Sequence, residues 1–227
     1  MIIDCIIPAY NEENSIPLVL QAIPSELVRE VVVIDNASTD KTASVAAANG
    51  AKVLSETRKG YGSACLKGIE YIQSKEKQPE VVVFLDADYS DFPEQMPDLL
   101  QPIQDNQMDM VVGSRALGNR EKGSMTIPQL FGNWLATHLL KLFYGAKFTD
   151  LGPFRAIRFP SLLALDMQDT SFGWTVEMQI KAVKQKMSYT EVAVDYRNRI
   201  GVSKISGTIK GAILAGYKII WTLLKYR

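Results

Sequence analysis

The chain has 227 residues with 25 basic and 25 acidic side chains, so its formal net charge is zero. This length suits one large α/β domain with a sizeable core, and we predict a single domain over residues 1–227. The balanced charge provides no global basic field of the kind that binds nucleic acid, so we expect no nucleic-acid partner.

Apolar runs alternate with helical patterns through the first half of the chain. The runs predict strands at residues 2–7, 31–34, 51–55, 81–85 and 108–112. Apolar residues at helical spacing, with capping residues before them, predict helices at residues 16–23, 42–49, 64–73 and 96–103. This alternation predicts an α/β fold with a mostly parallel sheet flanked by helices. Ligands of such sheets bind beyond the carboxyl ends of the strands.

Two carboxylates, Asp86 and Asp88, follow the most apolar of these strands. Alternation along an extended backbone points both side chains to the same side. At ~4 Å and a near-surface dielectric their repulsion is on the order of 4 kcal/mol, so the pair requires a proton or a cation. A hard divalent ion that leaves positions open for phosphate oxygens is the natural partner. The alternative is a strand end with a solvated aspartate turn.

The second half of the chain is less regular. It predicts a long helix at residues 127–143, a turn-rich segment at 149–155, a helix at 173–185 and a strand at 191–196. Earlier in the chain, Gly60 and Gly62 stand between a strand and a helix. We expect them to permit a tight turn rather than to cradle a phosphate, because an isolated Gly-x-Gly pattern is a weak indicator.

Six short segments carry a resemblance to a known family. They are PAYNEE at 8–13, IDNASTD at 34–40, DAD at 86–88, VGSR at 112–115, GPFRA at 152–156 and GVSK at 201–204. In this order they resemble the motifs of family 2 glycosyltransferases of the GT-A fold. Within that family the chain is similar to the branch of dolichyl- and polyprenyl-phosphate mannose and glucose synthases.

The resemblance implies an inverting transfer of a sugar from a nucleoside diphosphate sugar. It implies a nucleotide-sugar and metal-binding half at residues 1–115 and an acceptor half at 116–204, and the remaining residues 205–227 are predicted to form a basic amphipathic C-terminal helix. Asp86 and Asp88 would hold Mg²⁺ or Mn²⁺ on the diphosphate, with Asp88 the more direct ligand. The nucleoside base and ribose would be held by Pro8, Ala9, Tyr10, Glu12 and Asp35.

The resemblance also assigns roles to basic residues. Arg115 would lie near the diphosphate or the sugar, and a phosphate of the donor or acceptor would be faced by Arg155, Arg199 and Lys204. Two segments depart from the family pattern. Asn36 and Ala37 replace the usual Asp and Gly, so the chain lacks the second carboxylate that would contact the nucleoside. The sequence GPF at 152–154 replaces the commoner GGF. This replacement is the expected mark of a subgroup with a different acceptor.

The acceptor decides whether a general base is needed. A lipid phosphate is already anionic, whereas a hydroxyl acceptor requires a carboxylate to take its proton. Glu177 is the candidate for this base, completing a predicted catalytic set with Asp88 and Arg115; alternatively, it is a carboxylate that favours a helix N-terminus. The expected acceptor is a polyprenyl phosphate or another lipid. A soluble hydroxyl acceptor, and a protein that binds nucleotide sugars without turnover, stay as alternatives. A sugar nucleotidyltransferase would be expected to carry a Gly-rich basic loop where Pro8 to Glu12 stand.

The C-terminal segment is basic and has helical periodicity. No acidic residue follows Asp195, and Lys210, Lys218 and Lys225 fall on one side of the predicted helix at 205–227, beside an apolar side. This pattern is typical of an interfacial helix on an anionic leaflet; the alternative is a terminal helix that packs on the domain. The segment is too short and too interrupted to span a bilayer, and no signal-peptide pattern opens the chain.

The expected location is therefore the cytoplasm, with peripheral contact to the inner face of the membrane as a further hypothesis. Cys5 and Cys65 lie in predicted apolar elements and are expected to be buried thiols. The residues do not distinguish UDP from GDP as the nucleotide, or a monomer from a dimer.

Overall fold

A computed structural model describes residues 1–105, 107–201 and 209–227, with side chains described outside 209–215. Its strands are β1 (Ile3–Ala9), β2 (Glu30–Asp35), β3 (Lys52–Ser55), β4 (Val81–Phe84), β5 (Met110–Ser114), β6 (Arg155–Arg158) and β7 (Tyr189–Ala193). In the described part of the chain these strands form one seven-stranded sheet with the order β3-β2-β1-β4-β6-β5-β7. The pairings are parallel except at β6, which is antiparallel to both β4 and β5.

Helices cover both faces of the sheet. They are α1 (Ile16–Ala22), α2 (Thr42–Ala48), α3 (Tyr61–Gln73), α4 (Met96–Gln104), α5 (Ile127–Tyr144), α6 (Phe159–Ala164), α7 (Trp174–Lys184) and α8 (Ile209–Lys225). Successive residues of a strand point to opposite faces. Ile6 accordingly packs in the core under α3, α5 and α7, while Cys5 and Ile7 pack in the core under α1, α2 and α4.

The predicted α/β class and mostly parallel sheet are confirmed, and one strand of the sheet was not predicted. The predicted turn-rich segment ends at residue 155, and residues 155–158 form β6, inserted between β4 and β5. The sequence Arg-Ala-Ile-Arg has no apolar run. It becomes a strand because it pairs on both sides and because Arg155, Ala156 and Ile157 are buried. The predicted strand at 191–196 lies at Tyr189–Ala193 instead.

The C-terminal helix α8 packs on the domain through one face and exposes the other. Thr222 and Leu223 are buried, and the Tyr144 hydroxyl of α5 donates to the Leu223 carbonyl oxygen at 2.5 Å. The outward stripe at i, i+3, i+4 and i+7 is apolar and consists of Tyr217, Ile220, Trp221 and Leu224. None of the helices in the described ranges is long and apolar enough to cross a membrane. Cys5 and Cys65 are buried free thiols, as expected.

Candidate active site

A cleft of about 300 Å³ opens at the carboxyl edge of the sheet. The ends of β1, β2 and β4 and the turn before α3 form its walls, together with two residues from distant segments, Phe172 and Arg199. Its other lining residues are Pro8, Ala9, Tyr10, Glu12, Asn36, Lys59, Gly60, Tyr61 and Asp86 to Asp88. The structure therefore brings together the first segment of the resemblance, the two carboxylates and Arg199.

The two carboxylates lie at the end of β4 and differ in their partners. Asp88 is 5% exposed, and its Oδ1 accepts hydrogen bonds from the Ser90 amide at 2.9 Å and from the Ser90 hydroxyl. Asp86 has a buried Oδ1 without a hydrogen-bond partner among the described residues. Burial and the neighbouring charge of Asp88 raise the pKa of Asp86 to about 7, although Arg199 and Tyr61 act in the opposite direction.

A third carboxyl group, Asp91, lies close to this pair and was not among the predicted site residues. It is 2% exposed, and neither of its carboxyl oxygens has a hydrogen-bond partner in the described ranges. Burial, and then the charges of Asp86 and Asp88, raise its pKa well above the usual range. The sequence shows it only as an acid three positions after Asp88, whereas its burial depends on the fold. The cleft edge thus concentrates negative charge that favours a proton or a cation.

The donor set at this edge fits a hard divalent cation. Asp86 and Asp88 present carboxylate oxygens, of which Oδ1 of Asp86 is buried and unpartnered, and such oxygens are the ligands that Mg²⁺ and Mn²⁺ prefer. Within the described ranges, no group of three or more His, Cys, Asp or Glu side chains could hold a metal ion. The protein therefore offers two carboxylates, and a bound ion would need further oxygen ligands from substrate or water.

Arg199 reaches the cleft from the far end of the chain. Its guanidinium lies 2.9 Å from Oδ2 of Asp88 and 3.4 Å from Oε1 of Glu12. Glu12 is itself buried and accepts a hydrogen bond from the Ser15 hydroxyl at 2.8 Å. Because one guanidinium faces both acids, Arg199 links the end of β1 to the end of β4.

Asn36 holds the turn beside the cleft. Its Oδ1 accepts a hydrogen bond from the Gly60 amide at 2.8 Å, and its Nδ2 donates to the carbonyl oxygens of Glu56 and Arg58 at 3.1 and 2.9 Å. An ionised aspartate accepts but cannot donate, so the amide at this position fits the two carbonyls. The departure from the family pattern therefore has a local structural reason.

Lys59 and Tyr61, in the turn that Asn36 holds, also line the cleft and were not predicted as site residues. The Lys59 ammonium lies over the Tyr10 ring, 5.0 Å from its centroid. In the same turn Gly60 has a φ of +140°, which agrees with the expected structural role of the two glycines. The ammonium is a positive charge next to the predicted nucleoside wall.

One of the predicted contacts, that of Asp35, falls elsewhere. Asp35 does not line the cleft, and its Oδ1 accepts the Ser38 amide at 3.3 Å in the turn after β2. Lys204 lies outside the described residues, so its predicted phosphate contact stays a prediction.

Arg115 does not face the cleft as predicted. Its guanidinium donates to both carboxylate oxygens of Asp150 at 2.7 Å, and it lies over the Tyr196 ring at 4.9 Å from the centroid. Asp150 is 1% exposed. Burial disfavours the charge of Arg115, but Asp150 outweighs this effect and raises the pKa of Arg115 above its usual range. This geometry gives Arg115 a buried ion pair with Asp150, and its contact with the diphosphate or the sugar stays a prediction.

Arg155 is also withdrawn from the cleft. It is 1% exposed, and its guanidinium donates to the carbonyl oxygens of Gly152, Leu151 and Thr175. Burial without a carboxylate partner in hydrogen-bonding contact lowers the pKa of Arg155 to about 10. The residue sits at the start of β6, opposite Phe84 of β4. Its carbonyl partners lie in the turn before β6 and in α7, and its phosphate contact stays a prediction that this burial does not support.

Glu177, the predicted base, does not line the cleft. Its side chain is fully buried in the first turn of α7 and accepts four contacts: the amides of Gln168 and Asp169, the Tyr226 hydroxyl and the Lys181 ammonium. A carboxylate with these partners has no open position toward the cleft. The geometry therefore does not support the role of base and favours the alternative in which Glu177 is a structural carboxylate at a helix N-terminus.

The architecture defines the class of protein. The seven-stranded, mostly parallel sheet flanked by helices has the GT-A-like fold of solved structures of glucosyl-3-phosphoglycerate synthase from Mycobacterium tuberculosis. The complex of that enzyme with Mn²⁺, UDP and glucosyl-3-phosphoglycerate matches with a TM-score of 0.79 and 22% identity. The match covers 99% of this chain and 79% of that chain. The likeness shows the fold.

Sequence comparison places the chain in a family. The family model for Glycosyl transferase family 2 matches residues 4–165; the chain belongs to this family and is a glycosyltransferase. An uncharacterised glycosyltransferase of Mycobacterium tuberculosis (strain ATCC 25618 / H37Rv) is 34% identical over 213 residues, or 92% of each chain. An undecaprenyl-phosphate mannosyltransferase of Micrococcus luteus is 32% identical over 221 residues, or 91% of this chain and 88% of that protein.

Proposed function

We propose that the protein transfers a hexosyl group, with inversion, from a nucleoside diphosphate sugar to a polyprenyl phosphate. The observation that carries the proposal is the pair Asp86 and Asp88 beside the Arg199 guanidinium in one cleft. The similarity to a protein named undecaprenyl-phosphate mannosyltransferase supports the lipid acceptor. The Mn²⁺ and UDP in the structural neighbour support the metal and the class of donor.

The cleft residues divide between the parts of the donor. Pro8, Ala9 and Tyr10 form a wall for the nucleoside. Asp86 and Asp88 would hold Mg²⁺ or Mn²⁺, which as a Lewis acid stabilises the charge that develops on a diphosphate leaving group. Arg199 has guanidinium donors that match phosphate oxygens. A cation on Asp88 would compete with Arg199 for that carboxylate and release the guanidinium toward the diphosphate.

The position of Glu177 favours an anionic acceptor. A phosphate oxygen attacks without losing a proton, so no general base is required, whereas a hydroxyl acceptor requires one. Glu177 is buried among its partners, and Glu12, which lines the cleft, faces Arg199 at 3.4 Å. The withdrawal of the predicted base from the cleft therefore supports a lipid phosphate over a soluble hydroxyl acceptor.

The surface formed by α5 and α8 suits an acceptor that resides in a membrane. The exposed apolar stripe of α8 (Tyr217, Ile220, Trp221, Leu224) lies on a helix that contacts α5, where Ile127, Leu130, Phe131 and Trp134 repeat the same spacing and are exposed. Exposed basic residues flank these stripes: Lys141, Lys225 and Arg227. Aromatic and aliphatic side chains beside basic ones suit the interface of an anionic leaflet. This arrangement supports peripheral attachment to the cytoplasmic face of the membrane.

The first test measures donor binding. We expect heat of binding for one of UDP-glucose, UDP-N-acetylglucosamine and GDP-mannose in the presence of Mn²⁺, with loss of binding in EDTA and in Asp88→Asn. The absence of binding by every donor with Mn²⁺ would overturn the proposal.

The second test measures transfer. With the donor that binds, we expect the radiolabelled sugar to enter the organic phase when undecaprenyl phosphate is supplied. Transfer to a soluble hydroxyl acceptor such as glycerol, with none to undecaprenyl phosphate, would overturn the lipid acceptor. Donor binding without any transfer would favour a protein that binds nucleotide sugars without turnover.

A further inference from the structure

The segment at residues 165–173, between α6 and α7, forms one side of the cleft; we call it the cleft loop. Its Phe172 lines the cleft, and its Thr170 carbonyl oxygen accepts the Ser63 amide at 3.0 Å. A Cβ on Gly62 would lie 1.9 Å from the Asp169 carbonyl oxygen. The cleft loop and the start of α3 are therefore in direct backbone contact, and a shift of the loop changes the cleft wall.

The Glu177 carboxylate fixes the backbone of the cleft loop through hydrogen bonds to two of its amides. Its Oε1 accepts the Gln168 amide at 2.9 Å and its Oε2 accepts the Asp169 amide at 2.6 Å. The carboxylate is fully buried, and a buried charge is stable only when it is paired and hydrogen-bonded. Glu177 consequently depends on its two other partners, Lys181 at 2.7 Å and the Tyr226 hydroxyl at 2.7 Å.

The C-terminal helix α8 and Tyr226, the residue that follows it, supply contacts to both acids. The Tyr226 hydroxyl donates to Glu177, and the Lys218 ammonium lies 2.9 Å from Oδ2 of Asp169. The other oxygen of Asp169 accepts the amides of Ser171 and Gly173 at 2.7 and 3.1 Å. Asp169 thus holds the amides on both sides of Phe172, and α8 holds Asp169.

We propose that α8, together with Tyr226 directly after it, positions the donor cleft through these two contacts, with Asp169 and Glu177 as positioning residues that act through the cleft loop. The donor part of this inference rests on the proposed function. The same helix carries the apolar stripe on its outer face, so one element faces the proposed lipid surface and holds the cleft. Loss of the α8 contacts should loosen the cleft loop without changing the acids Asp86 and Asp88.

The test compares Lys218→Met with Tyr226→Phe and with the double variant. Lys218→Met removes the charge while keeping an unbranched side chain, and Tyr226→Phe removes only the hydroxyl. Lys67→Met is the matched control, because Lys67 pairs with Glu70 on the exposed side of α3. Lys218→Arg keeps the positive charge and should therefore lack the defect of Lys218→Met.

The first readout is the kinetics with the donor. In the double variant we expect the KM for the donor, and its Kd measured with Mn²⁺, to rise about tenfold, while kcat at saturating donor stays within about twofold. Lys67→Met should behave as the wild type. The second readout is hydrogen exchange, which needs no donor. Amides of residues 166–173 and 61–63 should exchange faster in the double variant, while those of β1 and β4 should exchange at the wild-type rate.

The two readouts separate the proposals. If the cleft-loop amides of the double variant exchange at the wild-type rate, the positioning role is overturned, whatever the donor KM and Kd are. Faster exchange throughout β1 and β4 would mean a general loss of stability and would also overturn it. If the wild type binds no donor while the cleft loop still loosens in the variants, the proposed function fails and the contact between α8 and the loop stands.

Discussion

At the residue scale, the acids at the end of β4 are held in an environment that disfavours their charge. Asp86 and Asp91 have elevated pKa values because they are buried and because each lies near other carboxylates. Titratable groups in such environments are concentrated at functional sites. The fold tolerates this arrangement at the cleft edge, where a cation or a proton can neutralise the acids.

The elevated pKa of Asp86 predicts how stability depends on pH without metal. The pKa of an aspartate in the unfolded chain is about 3.9, whereas the pKa of Asp86 in the folded protein is raised to about 7. Between these values the folded state holds a proton that the unfolded state has released. We therefore expect the free energy of unfolding in EDTA to fall as pH rises from about 5 to about 7, by up to about 1.4 kcal/mol per pH unit from this group.

Urea denaturation across this pH range measures the effect. Asp86→Asn removes the titrating group at similar volume, so its free energy of unfolding should fall less steeply with pH than that of the wild type. Asp91 is buried nearby and also titrates above its usual range, which leaves a residual slope in the variant. Parallel pH profiles for the two proteins would contradict the elevated pKa of Asp86.

The ion pair of Arg115 with Asp150 predicts a loss of stability instead of a loss of binding. Arg115→Met leaves the buried Asp150 charge without its bidentate partner, which costs about 3–5 kcal/mol. We expect urea denaturation to show this decrease in the free energy of unfolding, with the donor Kd within about twofold of the wild type. Asp150→Leu added to Arg115→Met should recover part of the stability. A large rise in the donor Kd at nearly unchanged stability would instead indicate a direct contact of Arg115 with the donor.

At the scale of elements, the sequence predicts the strands that show an apolar run or an alternating pattern, and it misses β6, which shows neither. The strands that became β1, β2, β4 and β5 are runs of aliphatic residues, so their burial on both faces is visible in the pattern. Strand β6 contains two arginines and forms only because two neighbours pair with it. The motif that contains Arg155 predicts a phosphate contact, whereas the strand that contains Arg155 buries its side chain.

The contact between α3 and the cleft loop gives a prediction at this scale. A methyl group on Gly62 would lie 1.9 Å from the Asp169 carbonyl oxygen, so Gly62→Ala should displace the cleft loop. We expect a stability loss of about 1–3 kcal/mol, as for other overpacked sites, together with a higher KM for the donor. Thermal unfolding and steady-state kinetics measure the two effects.

Gly132 in α5 is the matched control. A Cβ on Gly132 would meet no atom within 4 Å, and the residue lies inside a helix, where alanine is favoured over glycine by about 0.5–1 kcal/mol. Gly132→Ala should therefore raise the melting temperature and leave the donor KM unchanged. If Gly62→Ala were as stable and as active as Gly132→Ala, the close approach of the cleft loop to α3 would be wrong.

At the scale of the whole molecule, the cleft combines segments that are far apart in the sequence. The short motifs identify Pro8 to Glu12 and the pair Asp86 and Asp88, because their residue types and their positions after strands are local properties. Phe172 could not be predicted, since its place at the cleft depends on contacts with α3 and α7. The same holds for Glu177, whose type and helix position suit a base but whose partners come from residues 168–169 and 226.

The outer surface of α5 and α8 gives the last prediction. Trp134 of α5 and Trp221 of α8 are each 52% exposed. The two helices are in contact with each other. We expect the wild type to sediment with phosphatidylglycerol vesicles at low salt, and Trp134→Glu with Trp221→Glu to reduce the bound fraction at least about tenfold, because charged side chains are disfavoured in the apolar interface. Higher salt should weaken binding of the wild type, since the basic residues are exposed and therefore screened.

A matched control separates attachment from chemistry. Leu18 is 38% exposed on α1, which covers the opposite face of the sheet, so Leu18→Glu should bind vesicles as the wild type does. With a short-chain, water-soluble polyprenyl phosphate, the double tryptophan variant should transfer sugar at the wild-type rate, because the apolar stripes are separate from Asp86 and Asp88. Wild-type protein that stays in the supernatant with anionic vesicles at low salt would contradict the membrane surface. Loss of transfer to the soluble acceptor in the double variant would instead mean that these tryptophans act on the cleft itself.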